Sequence, residues 1–207
     1  MSVLTTVFYD MVMKSPEEAC LKDWRRELLK DVSGKILEIG AGTGASLSLY
    51  PDNTDLEISL AEPDKFMRIL LEKNINVLKL NNVTVTDSSA EKIQSPDGSF
   101  DYVFVSLVCC SFGDVTKAFK EIKRVLKSTG KLIFLEHVAA EKGTKRRKWQ
   151  DRLNPLWKPI AGNCNLNRDT EKSIREAGFE ILEIKHESMR KAVSIVRPTI
   201  RGVASPV

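Results

Sequence analysis

The chain has 207 residues, of which 42% are hydrophobic and 29% are charged, and its formal net charge is +4. This length is enough for one domain with a large core, whereas two domains of ordinary size would not fit. Acidic and basic residues are intermixed along the chain, so the charge does not by itself indicate a nucleic-acid partner. We therefore expect no nucleic-acid partner.

The cysteine and histidine residues show no spacing that is typical of a metal site or a disulfide framework. Cys20, Cys109, Cys110 and Cys164 contain no CxxC motif, and the two histidines lie far apart in the chain. We expect reduced thiols and no metal. Since no apolar stretch reaches the roughly 18 residues of a membrane helix and no signal-peptide pattern is present, we also expect a soluble, cytoplasmic protein.

Residues 1–32 are predicted to form an N-terminal helical cap, and residues 33–207 the main domain. Helix-forming runs in the cap break near Ser15 and Pro16, where the serine can cap a helix that begins at the proline. Two helices are thus predicted before the first strand.

A glycine-rich turn follows the first predicted strand, Lys35–Ile39. Gly40, Gly42 and Gly44 alternate along this turn, and a helix opens after them. Because glycine lacks a Cβ atom, the backbone can turn tightly here and approach a ligand closely. The backbone N–H groups at the start of this helix favour the binding of phosphate or other polar groups. The pattern predicts a site for a nucleoside-bearing ligand.

Two other interpretations of the turn remain open at this point. A plain turn is one of them, and Gly40, Gly42 and Ala45 also fit the dinucleotide pattern of a nicotinamide-dependent dehydrogenase. An acid just before the loop, Glu38, and a third alternate glycine favour a different nucleoside. Glu62 supports this choice, because it ends the next strand at the carboxyl edge of the sheet. Its carboxylate can accept hydrogen bonds from both ribose hydroxyls there.

The motif E-x-G-x-G-x-G with a later acid resembles the S-adenosylmethionine loop of class I methyltransferases. The resemblance implies S-adenosyl-L-methionine as cofactor and S-adenosyl-L-homocysteine as product. Within the loop and the following strand end, it implies cofactor contacts at Glu38, Gly40, Ala41, Gly42, Gly44, Glu62 and Pro63.

A second cofactor contact is implied by the turn at residues 88–91. In class I methyltransferases, a turn of this kind lies beside the adenine ring through its backbone and a polar or acidic side chain. The resemblance therefore implies contacts at Ser89, Ala90 and Glu91, although aspartate is commoner where this chain has Ser89.

The middle of the chain alternates helix and strand patterns. A helix is predicted over Asp64–Asn74, and strand-like character over Asn76–Thr86. The continuous apolar run in residues 98–106 predicts a fully buried strand next to the first one. Ser106 and Leu107 then lie at the edge where a methyl donor would bind.

The second half predicts one more helix and three more strands. The helix covers Val115–Leu126, and a turn at Gly130 precedes a strand over Lys131–Leu135. The last two strands are predicted at Phe179–His186 and Ala192–Val196, without a clear helix between them.

The predicted fold is α/β and Rossmann-like, with helices on both faces of a seven-stranded, mostly parallel sheet. Its ending resembles the antiparallel hairpin that closes the sheet of class I methyltransferases. A dehydrogenase would instead continue the α/β alternation and usually add a substrate domain.

The C-terminal half resembles one group in particular, the methyltransferase-like proteins that include thiol S-methyltransferases of the endoplasmic reticulum. The resemblance covers nearly all of residues 30–207, although members of that group begin with an apolar membrane segment that this chain does not show. The matching strings are Leu107-Val108-Cys109-Cys110-Ser111, Glu136-His137-Val138-Ala139-Ala140-Glu141, Asn154-Pro155-Leu156-Trp157, residues 162–170 and residues 196–202.

His137 is the best candidate for a general base, because the pKa of histidine lies near neutrality and the residue ends a strand at the cofactor edge. Glu136 competes for this role or orients His137. A nucleophilic Cys109 or Cys110 is less favoured than small apolar packing, since no histidine partner is identifiable from the sequence.

The only dense basic run lies within residues 142–149. Such runs are usually solvated, but with tryptophan nearby this one could contact a membrane surface weakly.

The sequence thus predicts methyl transfer from S-adenosylmethionine to a small-molecule acceptor, with a thiol as one candidate. A lipid, a quinone or another small O-, N- or C-acceptor is the alternative. A protein that binds the cofactor without catalysis is an alternative of another class.

Overall fold

The computed structural model describes residues 11–52 and 55–207, so part of the predicted cap, residues 1–10, lies outside the described residues. Seven strands form one sheet. They are β1 (Lys35–Ile39), β2 (Glu57–Ala61), β3 (Val83–Thr86), β4 (Phe100–Ser106), β5 (Leu126–His137), β6 (Phe179–Ser188) and β7 (Pro198–Pro206).

The strand order is β3-β2-β1-β4-β5-β7-β6. The first five strands are parallel, and β7 pairs antiparallel with both β5 and β6. This confirms the predicted fold class, including the position of β4 beside β1 and the C-terminal antiparallel hairpin.

Five α-helices have both ends among the described residues, and they are α1 (Lys22–Leu29), α2 (Lys65–Leu78), α3 (Val115–Val125), α4 (Lys145–Ile160) and α5 (Thr170–Glu176). Within these residues, no helix has both the length and the apolar character needed to cross a bilayer. Side-chain oxygens accept hydrogen bonds from first-turn backbone N–H groups in four of them, which fixes where these helices begin. The capping residues are Asp64, Asp114, Thr144 and Asp169.

Two apolar layers enclose the sheet, because successive side chains of a strand point to opposite faces. In β4, Val103 and Val105 pack into the layer that contains Phe119 and Ile122 of α3. Phe104 lies between them in the chain and packs into the other layer, which contains Leu71 of α2. The continuous apolar run of β4 is thus explained by burial on both faces.

The predicted break at Ser15 and Pro16 is wrong. Residues 11–16 are helical, and a π-helix over Glu17–Leu21 leads directly into α1. Proline lacks a backbone N–H and its ring crowds the carbonyl group four residues earlier. The wider π turn after Pro16, in which Lys22 N–H donates to Glu17 O, accommodates this irregularity without ending the helix.

The predicted final strand is also wrong. Ser194–Val196 forms a short 3-10 helix, and β7 begins only at Pro198. The sequence does not predict this strand, because it contains Pro198 and Gly202, and both residue types usually interrupt strands. Proline is tolerated at the first position of β7, and Gly202 allows the backbone of Glu183 on β6 to approach closely.

Two element boundaries differ as well. The sequence predicts strand-like character from Asn76, but α2 continues to Leu78 and β3 begins at Val83. The turn expected at Gly130 is instead part of β5, which begins at Leu126 and shifts register against β4.

Gly202 offers a test of this packing. A Cβ atom there would overlap Glu183 O and lie 2.9 Å from Phe134 Cζ, so neither neighbour could easily move aside. We expect Gly202→Ala to lower the free energy of unfolding by at least about 2 kcal/mol, measured by urea denaturation.

Gly113→Ala is the matched control, because its Cβ would lie 3.5 Å from Glu91 Oε1, an ordinary contact. Its stability should stay within about 0.5 kcal/mol of the wild type. Equal stability of the two variants would contradict the packing described for β6 and β7.

Candidate active site

A cavity of about 530 Å3 opens at the carboxyl edge of the sheet, within the size range of small-molecule sites. The loop after β1 forms one wall, from Gly40 to Thr43. Ser106 and Leu107 at the end of β4 form another, and the N-terminal helical segment closes the third side with Met11 and Met13.

The glycine loop has the conformation that its sequence predicts. Gly40, Gly42 and Gly44 have φ angles of 69°, 58° and 93°, values that side-chain-bearing residues rarely adopt. A Cβ atom at Gly40 would overlap the side chain of Val108. At Gly42, nothing lies within 4 Å of such an atom, and this residue lines the cavity. The loop thus leaves an open cradle into which a nucleoside ligand fits.

Glu62 supports this cradle. Its Oε2 accepts a hydrogen bond of 2.9 Å from Gly42 N, and its Oε1 accepts one of 2.9 Å from Asp64 N. Glu62 is not among the described residues that line the cavity. Each carboxylate oxygen can accept more than one hydrogen bond, so contact with a ribose stays a prediction. Burial raises the pKa of Glu62.

Glu38 lies in the cavity wall and also anchors the chain beyond the loop. Its carboxylate accepts hydrogen bonds of 2.8 Å from Ser46 Oγ and 2.7 Å from the Tyr50 hydroxyl. Burial raises the pKa of Glu38, and it raises the pKa of Tyr50 well above its ordinary value, with a further contribution from the Glu38 charge. The acid that precedes the loop therefore fixes the loop from inside the protein.

The cavity wall contains an ion pair that the sequence does not reveal. Arg25 is only 4% exposed, and it donates hydrogen bonds to the Glu17 carboxylate at 2.6 Å and to Ser106 Oγ at 2.9 Å. Buried arginine is rare unless paired. In the sequence, Arg25 lies among other charged residues of an amphipathic helix, so only the fold distinguishes it.

Ser106 and Leu107 lie at the cavity, where the sequence predicts them. Leu107 has a φ angle of 55°, and its N–H donates a 2.8 Å hydrogen bond to Leu135 O on β5. A left-handed leucine is uncommon, and such backbone strain clusters at functional sites.

Six predicted cofactor residues lie outside the described lining of the cavity, and their contacts stay predictions. They are Gly44, Glu62, Pro63, Ser89, Ala90 and Glu91. Glu91 Oε1 accepts hydrogen bonds from Gly113 N at 2.8 Å and Asp114 N at 3.4 Å, so this side chain braces the loop that precedes α3.

The two candidate catalytic residues are buried beside the cavity rather than in its described lining. Glu136 Oε1 accepts hydrogen bonds of 3.1 Å from both Val108 N and Cys109 N, which fixes the turn after β4. His137 Nε2 lies 3.1 Å from Cys164 Sγ. Burial lowers the pKa of His137, but its contacts with Cys164 and Glu136 outweigh this and raise it. A role as general base stays a prediction.

The fold brings together cysteine and histidine residues that are distant in sequence. Cys110, His137 and Cys164 place their ligand atoms within 4.8 Å of one another, which the expectation of no metal site did not foresee. Cys109 is separate, and burial and the nearby Glu136 raise its pKa well above the ordinary value. A protonated, buried thiol suits packing better than nucleophilic attack.

Comparisons with known proteins show what this chain is similar to. A family model for a methyltransferase domain matches residues 37–134. Thiol S-methyltransferase TMT1A of Homo sapiens is 32% identical over 209 residues, covering 96% of this chain and 82% of the human protein. The ubiquinone/menaquinone biosynthesis C-methyltransferase UbiE of Rickettsia bellii (strain OSU 85-389) is 32% identical over 191 residues, covering 80% of this chain and 77% of that protein.

Among solved structures, the geranyl diphosphate C-methyltransferase of Streptomyces coelicolor A3(2) shares the fold. It superposes with a TM-score of 0.72 at 13% identity, over 90% of this chain and 80% of that protein. That structure contains S-adenosyl-L-homocysteine, Mg2+ and geranyl diphosphate. At this level of identity, the likeness concerns the fold alone.

The fold and the glycine-lined cavity define a class I methyltransferase that depends on S-adenosylmethionine. With 32% identity over nearly its whole length, the chain belongs to the family that contains the thiol S-methyltransferase TMT1A. It is an enzyme that transfers a methyl group from S-adenosylmethionine to a small-molecule acceptor.

Replacing Glu62 by glutamine tests the cradle. The glutamine side chain has nearly the same size as that of glutamate but carries no charge. It can no longer accept hydrogen bonds from both Gly42 N–H and Asp64 N–H. We expect at least about tenfold weaker binding of S-adenosylhomocysteine, equivalent to about 1.4 kcal/mol, in calorimetric titration.

Glu57→Gln is the control, because Glu57 lies at the other end of β2 and its side chain is 67% exposed. Its affinity should match the wild type. Unchanged affinity in Glu62→Gln would show that the Gly42–Glu62 contact does not shape the donor site.

Proposed function

We propose that the enzyme methylates the sulfur atom of a small apolar thiol. The observation that carries this proposal is the composition of the cavity opposite the glycine loop. Met11, Met13 and Leu107 provide apolar surface there. Apolar surface favours a lipophilic acceptor. A thiol is the acceptor class for which the human relative is named.

The relatives support a small acceptor but differ in its chemistry. The human relative is named for thiols, whereas the Rickettsia bellii relative is named for ubiquinone and menaquinone biosynthesis. Relatives with the same 32% identity to this chain are thus named for different acceptors. A quinone, a lipid or another small acceptor is the second candidate, and cofactor binding without catalysis is the third.

The residues of this chain would act mainly by positioning. When bound, S-adenosylmethionine supplies a methyl group on a positively charged sulfur, which a thiolate attacks in line. Gly40, Gly42 and Glu62 would hold the donor at the sheet edge, and Leu107 would shape the wall beside it. Holding two reactants in a productive geometry supplies much of the rate acceleration in such transfers.

Deprotonation of the acceptor needs no histidine in this cavity. Among the described residues of the cavity wall, none is a histidine. A free thiol has a pKa of about 8.5, so a small fraction is already thiolate at neutral pH, and its proton goes to solvent. Lys14 and the Arg25–Glu17 pair would then set the electrostatic environment of the sulfur.

A thiol and the alcohol with the same carbon skeleton test the acceptor class. We expect the purified enzyme to transfer labelled methyl groups to the thiol at least about tenfold faster, because only the thiol is appreciably ionised near neutral pH. Below the pKa of the thiol, kcat/KM should rise about tenfold per pH unit, since the thiolate fraction rises in this way.

The comparison separates the three candidate functions. Preference for the alcohol or for a quinol would overturn the thiol proposal and favour the second candidate. Binding of the donor without transfer to any acceptor would favour the third. A pH inflection that does not move when thiols of different pKa are compared would point to an enzyme group, such as His137, as the base.

We further propose that α4 contacts a membrane surface weakly. Trp149, Leu156 and Ile160 are 53%, 68% and 79% exposed, and their spacing places them along one side of the helix. Arg152 lies over the Trp149 ring at 5.8 Å, and the basic run of residues 142–149 begins just before the helix. Apolar and basic groups side by side suit an interface with anionic lipid.

Ile160→Glu tests this contact. The variant should bind anionic phospholipid vesicles less than the wild type in a sedimentation assay, and wild-type binding should weaken as salt is added. Val77→Glu is the control, because Val77 is 69% exposed on α2. Equal binding of all three proteins, or none by the wild type, would contradict the proposal.

All four cysteines are free and buried. We infer from this thiol usage that the protein works in a reducing compartment such as the cytoplasm.

A further inference from the structure

Three side chains with strong metal-binding chemistry meet outside the donor cavity. Cys110 belongs to the short 3-10 helix Cys109–Ser111 after β4, His137 is the last residue of β5, and Cys164 lies in the loop after α4. Their ligand atoms all lie within 4.8 Å of one another, and the side chains are at most 9% exposed. None of the three is among the described residues that line the cavity.

The spacing is close to that of a zinc site. Zinc binds cysteine sulfur at about 2.3 Å and histidine nitrogen at about 2.0 Å in tetrahedral geometry, so its ligand atoms are separated by about 3.3–3.8 Å. His137 Nε2 and Cys164 Sγ are already 3.1 Å apart. Since no pair exceeds 4.8 Å, shifts of about 1 Å would complete the geometry.

Neighbouring residues hold the cysteine loop in place over the 3-10 helix. Asn165 donates two hydrogen bonds of 2.9 Å to Cys110 O, one from its backbone N and one from Nδ2. Asn163 Nδ2 donates to Ser111 O at 2.9 Å, and Arg168 donates to the carbonyl groups of Cys109 and Phe112. These contacts position Cys164 independently of any interaction between the thiols, as a prearranged ligand set requires.

Two buried polar atoms at the cluster have no hydrogen-bond partner within the described structure. They are His137 Nδ1 and Glu136 Oε2. Such atoms are rare in folded proteins. Because His137 Nε2 faces Cys164, an ion in the cluster would bind Nε2 and leave Nδ1 as the nitrogen that carries the proton. The adjacent Glu136 carboxylate adds negative charge that favours a cation.

We propose that Cys110, His137 and Cys164 bind Zn2+. Two sulfur atoms and one imidazole nitrogen coordinate the ion, the two thiol protons are released to solvent, and a water molecule fills the fourth position. The ion joins the ends of β4 and β5 to the loop after α4.

Metal reconstitution tests the proposal without any acceptor or donor. The full chain is stripped with a chelator under reducing conditions and titrated with Zn2+, and in parallel with Co2+. We expect stoichiometric binding, a thiolate-to-cobalt charge-transfer band that zinc abolishes, and a higher Tm with zinc.

Cys164→Ser and Cys110→Ser should each weaken zinc binding more than about 100-fold, because loss of a ligand costs more than loss of a supporting contact. Cys20→Ser is the matched control, since Cys20 is equally buried but lies in the N-terminal helical segment, and it should keep wild-type affinity. Circular dichroism of the metal-free variants checks folding, and the wild-type cobalt spectrum stands as evidence even where a variant does not fold.

Absence of a thiolate–cobalt band in the wild type would overturn the proposal. So would equal loss of zinc affinity in Cys20→Ser and Cys164→Ser, since binding would then not depend on the cluster.

Discussion

One hydrogen bond, from Gly42 N to the Glu62 carboxylate at 2.9 Å, fixes the glycine loop that lines the cavity. It joins the loop after β1 to the end of β2, two neighbouring parallel strands whose ends meet at the same sheet edge. Gly40 N and Ala41 N also donate to Ala61 O, at 2.8 and 3.2 Å. The loop is therefore fixed to the next strand before any ligand arrives, which reduces the ordering cost of binding.

The opposite wall of the cavity depends on a different kind of interaction. Arg25 is buried and links Glu17 in the N-terminal helical segment to Ser106 at the end of β4. Removal of one partner would leave a buried charge uncompensated, so the segment is held in this position by electrostatics as well as packing. Its apolar side packs in one cluster with Leu135 and Met189. The N-terminal helical segment, which lies outside the sheet, thus forms this wall of the cavity.

Local backbone chemistry decided which features could be predicted from the sequence. The glycine loop was predictable because positive φ angles and close approach both demand glycine, and β4 because burial on both faces produces a continuous apolar run. Strand β7 was not, since Pro198 and Gly202 resemble strand breakers until the neighbouring backbone of β6 is known. Arg25 and the cluster around His137 depend on contacts between distant segments, so no local pattern reveals them.

Calorimetric titration of the wild-type protein with S-adenosylhomocysteine and, separately, with NAD tests the central claim most directly. The cradle of three alternate glycines, supported by Glu62 and Glu38, predicts saturable binding of the sulfur nucleoside and no binding of NAD at the same concentrations. Preference for NAD, or no binding of either ligand, would contradict the account of this cavity as the methyl-donor site.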